Sequence, residues 1–107
     1  MTLKPYTLLY KYTINRGKLQ VREGVTNKIG DRMVVNFKDS ADENLKAANC
    51  PRVEDIGVVR SVGPTLWLYD RDDELAKQKF IEFENQKIDL LLKQIDKKLR
   101  IIKCLED

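Results

Sequence analysis

Residues 70–107 have the sequence DRDDELAKQKFIEFENQKIDLLLKQIDKKLRIIKCLED, which contains neither glycine nor proline. Those two residues most often interrupt helices, so the stretch predicts one unbroken helix. Acidic residues crowd its beginning, where Asp70 is a good N-cap and carboxylates complement the positive end of the helix dipole. We therefore predict a helix from Arg71 to about Leu105, which would be about 50 Å long.

The second half of this helix carries large apolar side chains at spacings of four, three, four and three residues. This spacing is the heptad pattern of a coiled coil. We refer to these residues, with one neighbour that widens the row, as the apolar stripe: Ile88, Leu91, Leu92, Ile95, Leu99 and Ile102.

A body of about 70 residues would be about 30 Å across, so a helix of about 50 Å extends beyond it. The apolar stripe would then be exposed unless another surface covered it, and each such side chain gains ~1.5–3 kcal/mol on full burial. We predict that the stripes of two copies pair to make a homodimer. The alternative is that the helix bends near Asn85 and Gln86 and returns to its own sheet.

Before the helix, apolar or aromatic residues alternate with polar ones, which is the period of half-buried strands. Residues 6–14 are the clearest case, and the Asn15-Arg16-Gly17-Lys18 turn that follows offers positive φ at Asn15 and Gly17. We expect further strands around residues 19–25, 33–37, 56–62 and 66–69. Trp67, in the last of these strands, is expected to pack between that strand and the helix.

A short helix is expected near residues 41–48, because Ser40 and Glu43 have capping-box spacing and Pro51 prevents continuation. The sequence therefore predicts an α+β fold: a small curled antiparallel sheet or open barrel of about five strands with a short helix, then one long C-terminal helix able to pair as a coiled coil. Residues 1–69 would form the β-rich body and residues 70–107 the helix, as a single folding unit.

Composition argues against several classes of function. The chain of 107 residues is 42% hydrophobic, enough for a core, and contains no histidine, no glycine-rich phosphate loop and no CxxC motif. These absences argue against catalysis by a histidine base, against most types of zinc site and against the usual nucleotide-binding loops. We expect a non-enzymatic protein that uses no cofactor.

A small metal-dependent enzyme is the third-ranked hypothesis, because clustered carboxylates can hold Mg²⁺. A helix N-terminus explains the same cluster without a metal. The residues concerned are Asp70, Asp72, Asp73 and Glu74.

The net charge of +3 is unevenly distributed, since residues 1–69 carry 11 Lys and Arg against 7 Asp and Glu. Basic hairpins can follow the phosphates of a nucleic acid, and Tyr10 or Tyr12 could offer a stacking face. A normal solvated sheet edge is the other interpretation. The residues predicted to contact nucleic acid or an acidic partner are Lys11, Arg16, Lys18, Arg22, Lys28 and Arg32.

The two cysteines, Cys50 and Cys104, have no metal-ligand spacing, which favours reduced thiols in a reducing compartment. No apolar run has the character of a signal peptide or the length of a membrane span. We therefore expect a cytoplasmic protein with no membrane contact.

The strand end Leu66-Trp67-Leu68-Tyr69-Asp70 is followed by apolar residues at helical spacing. Across residues 53–105 this arrangement resembles small proteins of phages and integrated elements of low-GC Gram-positive bacteria. The resemblance implies location in a bacterial host cell and a protein-binding inhibitor or adaptor that acts on a host protein such as a defence nuclease, as anti-CRISPR-like proteins do. The helical residues that carry it are Ala76, Phe80, Ile88, Leu92, Ile95 and Ile102.

Overall fold

The computed structural model describes residues 2–38, 47–60 and 63–106. In chain order the elements are β1 (Leu8–Asn15), β2 (Lys18–Ile29), β3 (Arg32–Phe37), β4 (Ala47–Asn49), a 3-10 helix (Val53–Asp55), β5 (Thr65–Leu68) and α1 (Asp73–Glu106). The five strands in these ranges form one antiparallel sheet in the order β4-β3-β2-β1-β5. The predicted α+β fold, a curled sheet followed by one long helix, is confirmed.

The first hairpin joins β1 to β2 through a tight two-residue turn. Arg16 and Gly17 have φ angles of 52° and 76°, which matches the type I′ turn that suits the twist of a hairpin. The positive φ that was expected at Asn15 therefore falls on Arg16. The second hairpin turns at Gly30 and Asp31, so β2 is longer than the sequence predicts.

The strand predicted across residues 56–62 is not formed over residues 56–60, where the structure describes it. These residues lie along β5 and make only two isolated bridges, Ile56 with Trp67 and Arg60 with Thr65, so no continuous ladder develops. The fifth strand is instead β4, at the opposite edge of the sheet. The short helix predicted near residues 41–48 lies outside the described residues except at Ala47 and Ala48, which belong to β4.

The sheet curls so that β3 approaches β5. Three strand spacings separate these strands, which is about 14 Å in a flat sheet. The rings of Phe37 and Trp67 nevertheless stack with centroids 6.1 Å apart. Gly24 of β2 lies beside Phe37, and a Cβ there would come 2.5 Å from Val35 Cγ1 and 3.1 Å from Phe37 Cδ1. The missing side chain lets the inner face close.

The two faces of the sheet carry separate hydrophobic clusters. The inner cluster consists of Leu3, Leu9, Val35, Phe37 and Trp67. The outer cluster, which includes the start of α1, consists of Tyr12, Leu66, Leu68, Ala76 and Phe80. The expectation that Trp67 packs against the helix is therefore wrong, because β5 directs it inward and presents its two neighbours to α1.

The beginning of α1 is attached to β1 by polar contacts. The backbone N–H of Leu75 donates to Asp72 Oδ1 at 3.0 Å, so Asp72 is the N-cap in place of the predicted Asp70. The buried hydroxyl of Tyr12 donates to Asp73 Oδ1 at 2.7 Å and accepts the N–H of Asp72 at 3.0 Å. These bonds fix the direction in which α1 leaves the sheet.

Candidate functional site

The second half of α1 projects away from the rest of the molecule. From residue 84 to residue 106 every residue is exposed, and the molecule measures 65 × 29 × 24 Å. The helix is continuous through Asn85 and Gln86, so it does not bend back onto its own sheet. These 23 residues form an arm about 35 Å long.

The predicted apolar stripe lies on this arm and is open to water. Its six side chains are between 50% and 58% exposed. Ala76 and Phe80 define the side of α1 that faces the sheet, and an ideal helical rotation places the centre of the stripe about 90° from that side. The stripe therefore does not continue the face that packs on the body. Leu105, which the sequence also predicts to widen the stripe, is exposed, and so are Leu90 and Ile101, which the prediction did not include.

An apolar groove lies between the stripe and the body. It has a volume of about 530 Å³ and opens where α1 passes the β1–β2 hairpin. Its walls are Ile14, Pro64, Phe80, Ile81, Glu84 and Asn85. Sequence reasoning missed this groove because it depends on how the helix crosses the hairpin, which no local pattern encodes. We refer to it as the hairpin groove.

The six predicted basic residues do not form one patch. Arg16 and Lys18 lie at the β1–β2 turn, whereas Lys28 and Arg32 flank the β2–β3 turn at the other end of β2. The 12 residues of β2 make these turns about 35 Å apart. Arg32 also donates to Asn49 Oδ1 at 2.9 Å. The remaining two, Lys11 and Arg22, are paired across β1 and β2 on the inner face.

On the inner face, two cations lie against the stacked aromatic rings. Arg22 Cζ lies 3.9 Å from the centre of the Phe37 ring. Lys11 Nζ lies 5.8 Å from that centre and 5.7 Å from the centre of the Trp67 ring, within the range of cation–π attraction. Burial, and then the positive charge of Arg22, lower the pKa of Lys11. No carboxylate among the described residues forms an ion pair with Lys11.

A cleft of about 380 Å³ opens beside Lys11 between β4 and β5. Arg60 forms an ion pair with Asp55 at its rim. The hydrogen bond from the Arg52 N–H and the contact with Arg60 lower the pKa of Asp55, so this rim carries a paired charge at neutral pH. The cleft therefore combines one cation beside aromatic rings with a neutralised ion pair, which suits an anionic group better than a cationic one.

Asp72 and Asp73, two of the acidic residues at the start of α1, have structural partners. Asp72 caps the helix, and Asp73 accepts hydrogen bonds from Tyr12 and Arg71. The bond from Tyr12, followed by that from Arg71, lowers the pKa of Asp73. No three His, Cys, Asp or Glu side chains are grouped as metal ligands within residues 2–38, 47–60 and 63–106.

The two cysteines carry free thiols in different surroundings. Cys50 is half-buried near β4, and burial raises the pKa of its thiol, which disfavours the reactive thiolate. Cys104 is exposed on the arm. In the part of the chain that the structure describes, no helix is both long and apolar enough to cross a membrane.

Comparison with known proteins adds no assignment. No protein-family model matches the chain, and no curated protein or solved structure is significantly similar to it. The features of the molecule that bear on function are the arm, the hairpin groove and the inner face.

Proposed function

We propose that this protein is a non-enzymatic protein-binding module that works as a homodimer joined through the apolar stripe of α1. The observation that carries the proposal is a heptad row of half-exposed Ile and Leu side chains on an arm that its own body does not cover. Exposed apolar surface of this extent and regularity is typical of an interaction surface. A second copy offers the same row, and knobs-into-holes packing of two such rows buries both.

In this proposal the dimer holds two β-rich bodies in fixed relation to each other. Residues 1–69 carry a net charge of +4, so the protein or nucleic-acid surface that they meet would be acidic. The resemblance to small phage proteins supports an inhibitor or adaptor role toward a host protein such as a defence nuclease. The first turns of α1 are packed on the sheet through Ala76 and Phe80 and are hydrogen-bonded to Tyr12. These contacts support a fixed orientation of the arm relative to the body.

The mass of the protein in solution tests the homodimer. We expect a mass of twice 12.5 kDa at micromolar concentration by light scattering coupled to size-exclusion chromatography. Leu92→Asp should return the mass to that of one chain, because it places a charge in the middle of the stripe. Gln94→Asp is the matched control, since it makes the same charge change on an exposed position outside the stripe.

A wild-type mass of one chain at all micromolar concentrations would overturn the homodimer. Equal dissociation of the two variants would show that charge, and not the apolar stripe, controls association. Circular dichroism of both variants should show that the body and α1 remain folded.

A second candidate function, binding of single-stranded nucleic acid, is favoured by one specific observation. Lys11 and Arg22 lie over aromatic rings on the inner face, and Lys18 precedes Arg22 on the same side of β2 at an interval of four residues. Positive groups beside aromatic rings are the components of single-strand binding grooves. The rings of Phe37 and Trp67 are themselves buried, which limits stacking with a base and ranks this function second.

Charge reversal along the β1–β2 hairpin tests the second function. If nucleic acid binds there, Arg16→Glu, Lys18→Glu and Arg22→Glu together should remove binding of a fluorescent single-stranded oligonucleotide, and wild-type affinity should fall steeply with salt. Lys28→Glu with Arg32→Glu at the far turn is the control. Absence of binding by the wild type at low salt would exclude this function.

A further inference from the structure

The residues that flank the five heptad core positions of α1 differ between the two sides of the helix. Ile88, Ile95 and Ile102 occupy one core position of the heptad, and Leu92 and Leu99 occupy the other. On one flank the residues are Asp89, Asp96 and Lys103. On the other flank they are Glu84, Leu91, Lys98 and Leu105. The orientation of two paired arms decides which of these residues meet.

Parallel arms in register would bring together residues of like charge. In that arrangement each flank of one helix meets the opposite flank of the other, five residues further on. Glu84 would face Asp89 of the second copy, and Lys98 would face Lys103 of the second copy. Leu91 would face Asp96 of the second copy. The parallel arrangement therefore has two kinds of repulsive contact and no attractive one.

Antiparallel arms bring each flank against the same flank of the second copy. The register centred on residue 97 sets Ile95 against Leu99 and Leu92 against Ile102, and it places Ile88 against Glu106 at the end of the second copy's helix. Asp89 then faces Lys103 of the second copy, and Leu91 faces Leu105 of the second copy. By symmetry each of these favourable contacts occurs twice.

Two contacts of like charge remain in the antiparallel arrangement, both near its two-fold axis. Asp96 and Lys98 would each face the same residue of the second copy. Arg100 forms an ion pair with Asp96 at 3.1 Å on the same helix, which offsets the charge of that carboxylate. Lys98 is exposed at the edge of the helix, where solvent screens its charge. The balance of charge therefore favours antiparallel arms.

The length of the arm and the hairpin groove fit the same arrangement. The antiparallel register overlaps residues 88–106, which is nearly the whole arm of residues 84–106. The last helical turn of the second copy then ends beside Ile88, about one turn from the hairpin groove. Leu105, which is 81% exposed in the single chain, would lie on the side of α1 where Glu84 borders that groove.

We propose that the arms of two copies pair antiparallel, with the two-fold axis near residue 97 and the two β-rich bodies at opposite ends of the rod. This inference rests on the proposed homodimer and adds its orientation and register. It also determines what such a dimer can do, because the two bodies would be held far apart and would contact two separate sites on a partner or two partner molecules.

Single cysteines at two core positions test the orientation. In a background with Cys50→Ser and Cys104→Ser, the variants Ile95→Cys and Leu99→Cys are prepared with tags of different size. Under mild oxidation, the antiparallel register predicts a disulfide only when the two variants are mixed, since residue 95 faces residue 99. A parallel dimer predicts the reverse, a disulfide within each variant alone, because Cα atoms must be about 4.4–6.8 Å apart.

The outcomes separate the orientation from the dimer itself. Masses measured under reducing conditions show whether each variant is dimeric, and monomers would overturn the homodimer. Dimers that cross-link within each variant alone would overturn only the antiparallel orientation. Dimers that form no disulfide in any mixture would overturn the register.

A charge reversal on the flank of the helix gives a second test, because it changes the dimer affinity in opposite directions for the two orientations. Asp89→Lys in the native chain should weaken an antiparallel dimer about fivefold, because the introduced lysine then faces Lys103 of the second copy. The same change should strengthen a parallel dimer, where the introduced lysine would face Glu84. Adding Lys103→Asp should restore the antiparallel dimer, and a failure to restore it would contradict the proposed contact.

Discussion

The two halves of α1 belong to one continuous helix, yet they have opposite surroundings. In the first half, Ala76 and Phe80 are buried against the outer face of the sheet, and Asp72 and Asp73 are attached to β1 through Tyr12. In the second half, every residue from 84 to 106 is exposed, although large apolar residues are as frequent there as in the first half. The sheet covers the apolar side of the first half, and no described part of the same chain covers the apolar side of the second half.

This difference indicates that the first half of the helix completes the core of the body, whereas the second half presents a surface for association. The first half takes its stability from tertiary contacts with the body. Most helical stability in proteins comes from packing of an apolar face, so the second half depends on continuity with the first half and on whatever covers the apolar stripe. The body is therefore expected to fold alone, whereas the arm is completed by association.

The largest expected effect comes from removing the buried ring of the first half. Phe80→Ala should destabilise the body by about 3–5 kcal/mol, because it leaves a cavity between α1 and the sheet. Ile81→Ala, at the next position and 54% exposed, should cost less than about 1 kcal/mol. Urea unfolding followed by tryptophan fluorescence measures both changes, since Trp67 lies inside the body.

Both variants are best compared in the Leu92→Asp background, so that association does not contribute to stability. Equal effects of the two substitutions would contradict the assignment of the first half to the core of the body.

The contrast between the two halves could be predicted from sequence only in part. The spacing of Ile88, Leu92 and Ile95 depends on a single helix, so local pattern was enough to predict the stripe and nearly the full extent of α1. The face that covers Phe80 depends on the sheet, and β1 buries side chains on both of its faces, Leu9 on one and Tyr12 on the other. Alternation alone cannot distinguish two buried faces from one.

The inner face shows the same limit. Lys11 and Arg22 could be recognised as basic residues of a hairpin, but their contact with Phe37 and Trp67 depends on strand order and on the curl at Gly24. The segment of residues 56–60 has the composition of a strand and lacks a continuous partner. Whether such a segment joins a ladder depends on its neighbours in the folded chain, which no local pattern encodes.

A smaller effect is expected at the polar contact that joins the two regions. Tyr12→Phe removes a hydroxyl that donates to Asp73 and accepts from the N–H of Asp72, and should cost about 1–2 kcal/mol. Burial, followed by the hydrogen bond to Asp73, raises the pKa of Tyr12 from 10.0 to about 12. Because the folded state binds this proton more tightly, the stability that it contributes is complete below pH 10 and is lost as the pH rises toward 12.

The same contact acts at acid pH with the opposite sign. The pKa of Asp73 is lowered, first by the hydrogen bond from Tyr12, so its contribution is present above its ordinary value of 3.8 and is lost as the pH falls below it. In the Leu92→Asp background, the difference in urea midpoint between the native Tyr12 and Tyr12→Phe should therefore be largest between about pH 5 and 9 and shrink at both extremes. Tyr6→Phe, at an exposed tyrosine, is the control. A difference that stays constant from about pH 3 to pH 11 would contradict this linkage, and it would mean that the Tyr12 hydroxyl stabilises the start of α1 through neutral hydrogen bonds, such as the one that it accepts from the Asp72 N–H, and not through the charge of Asp73.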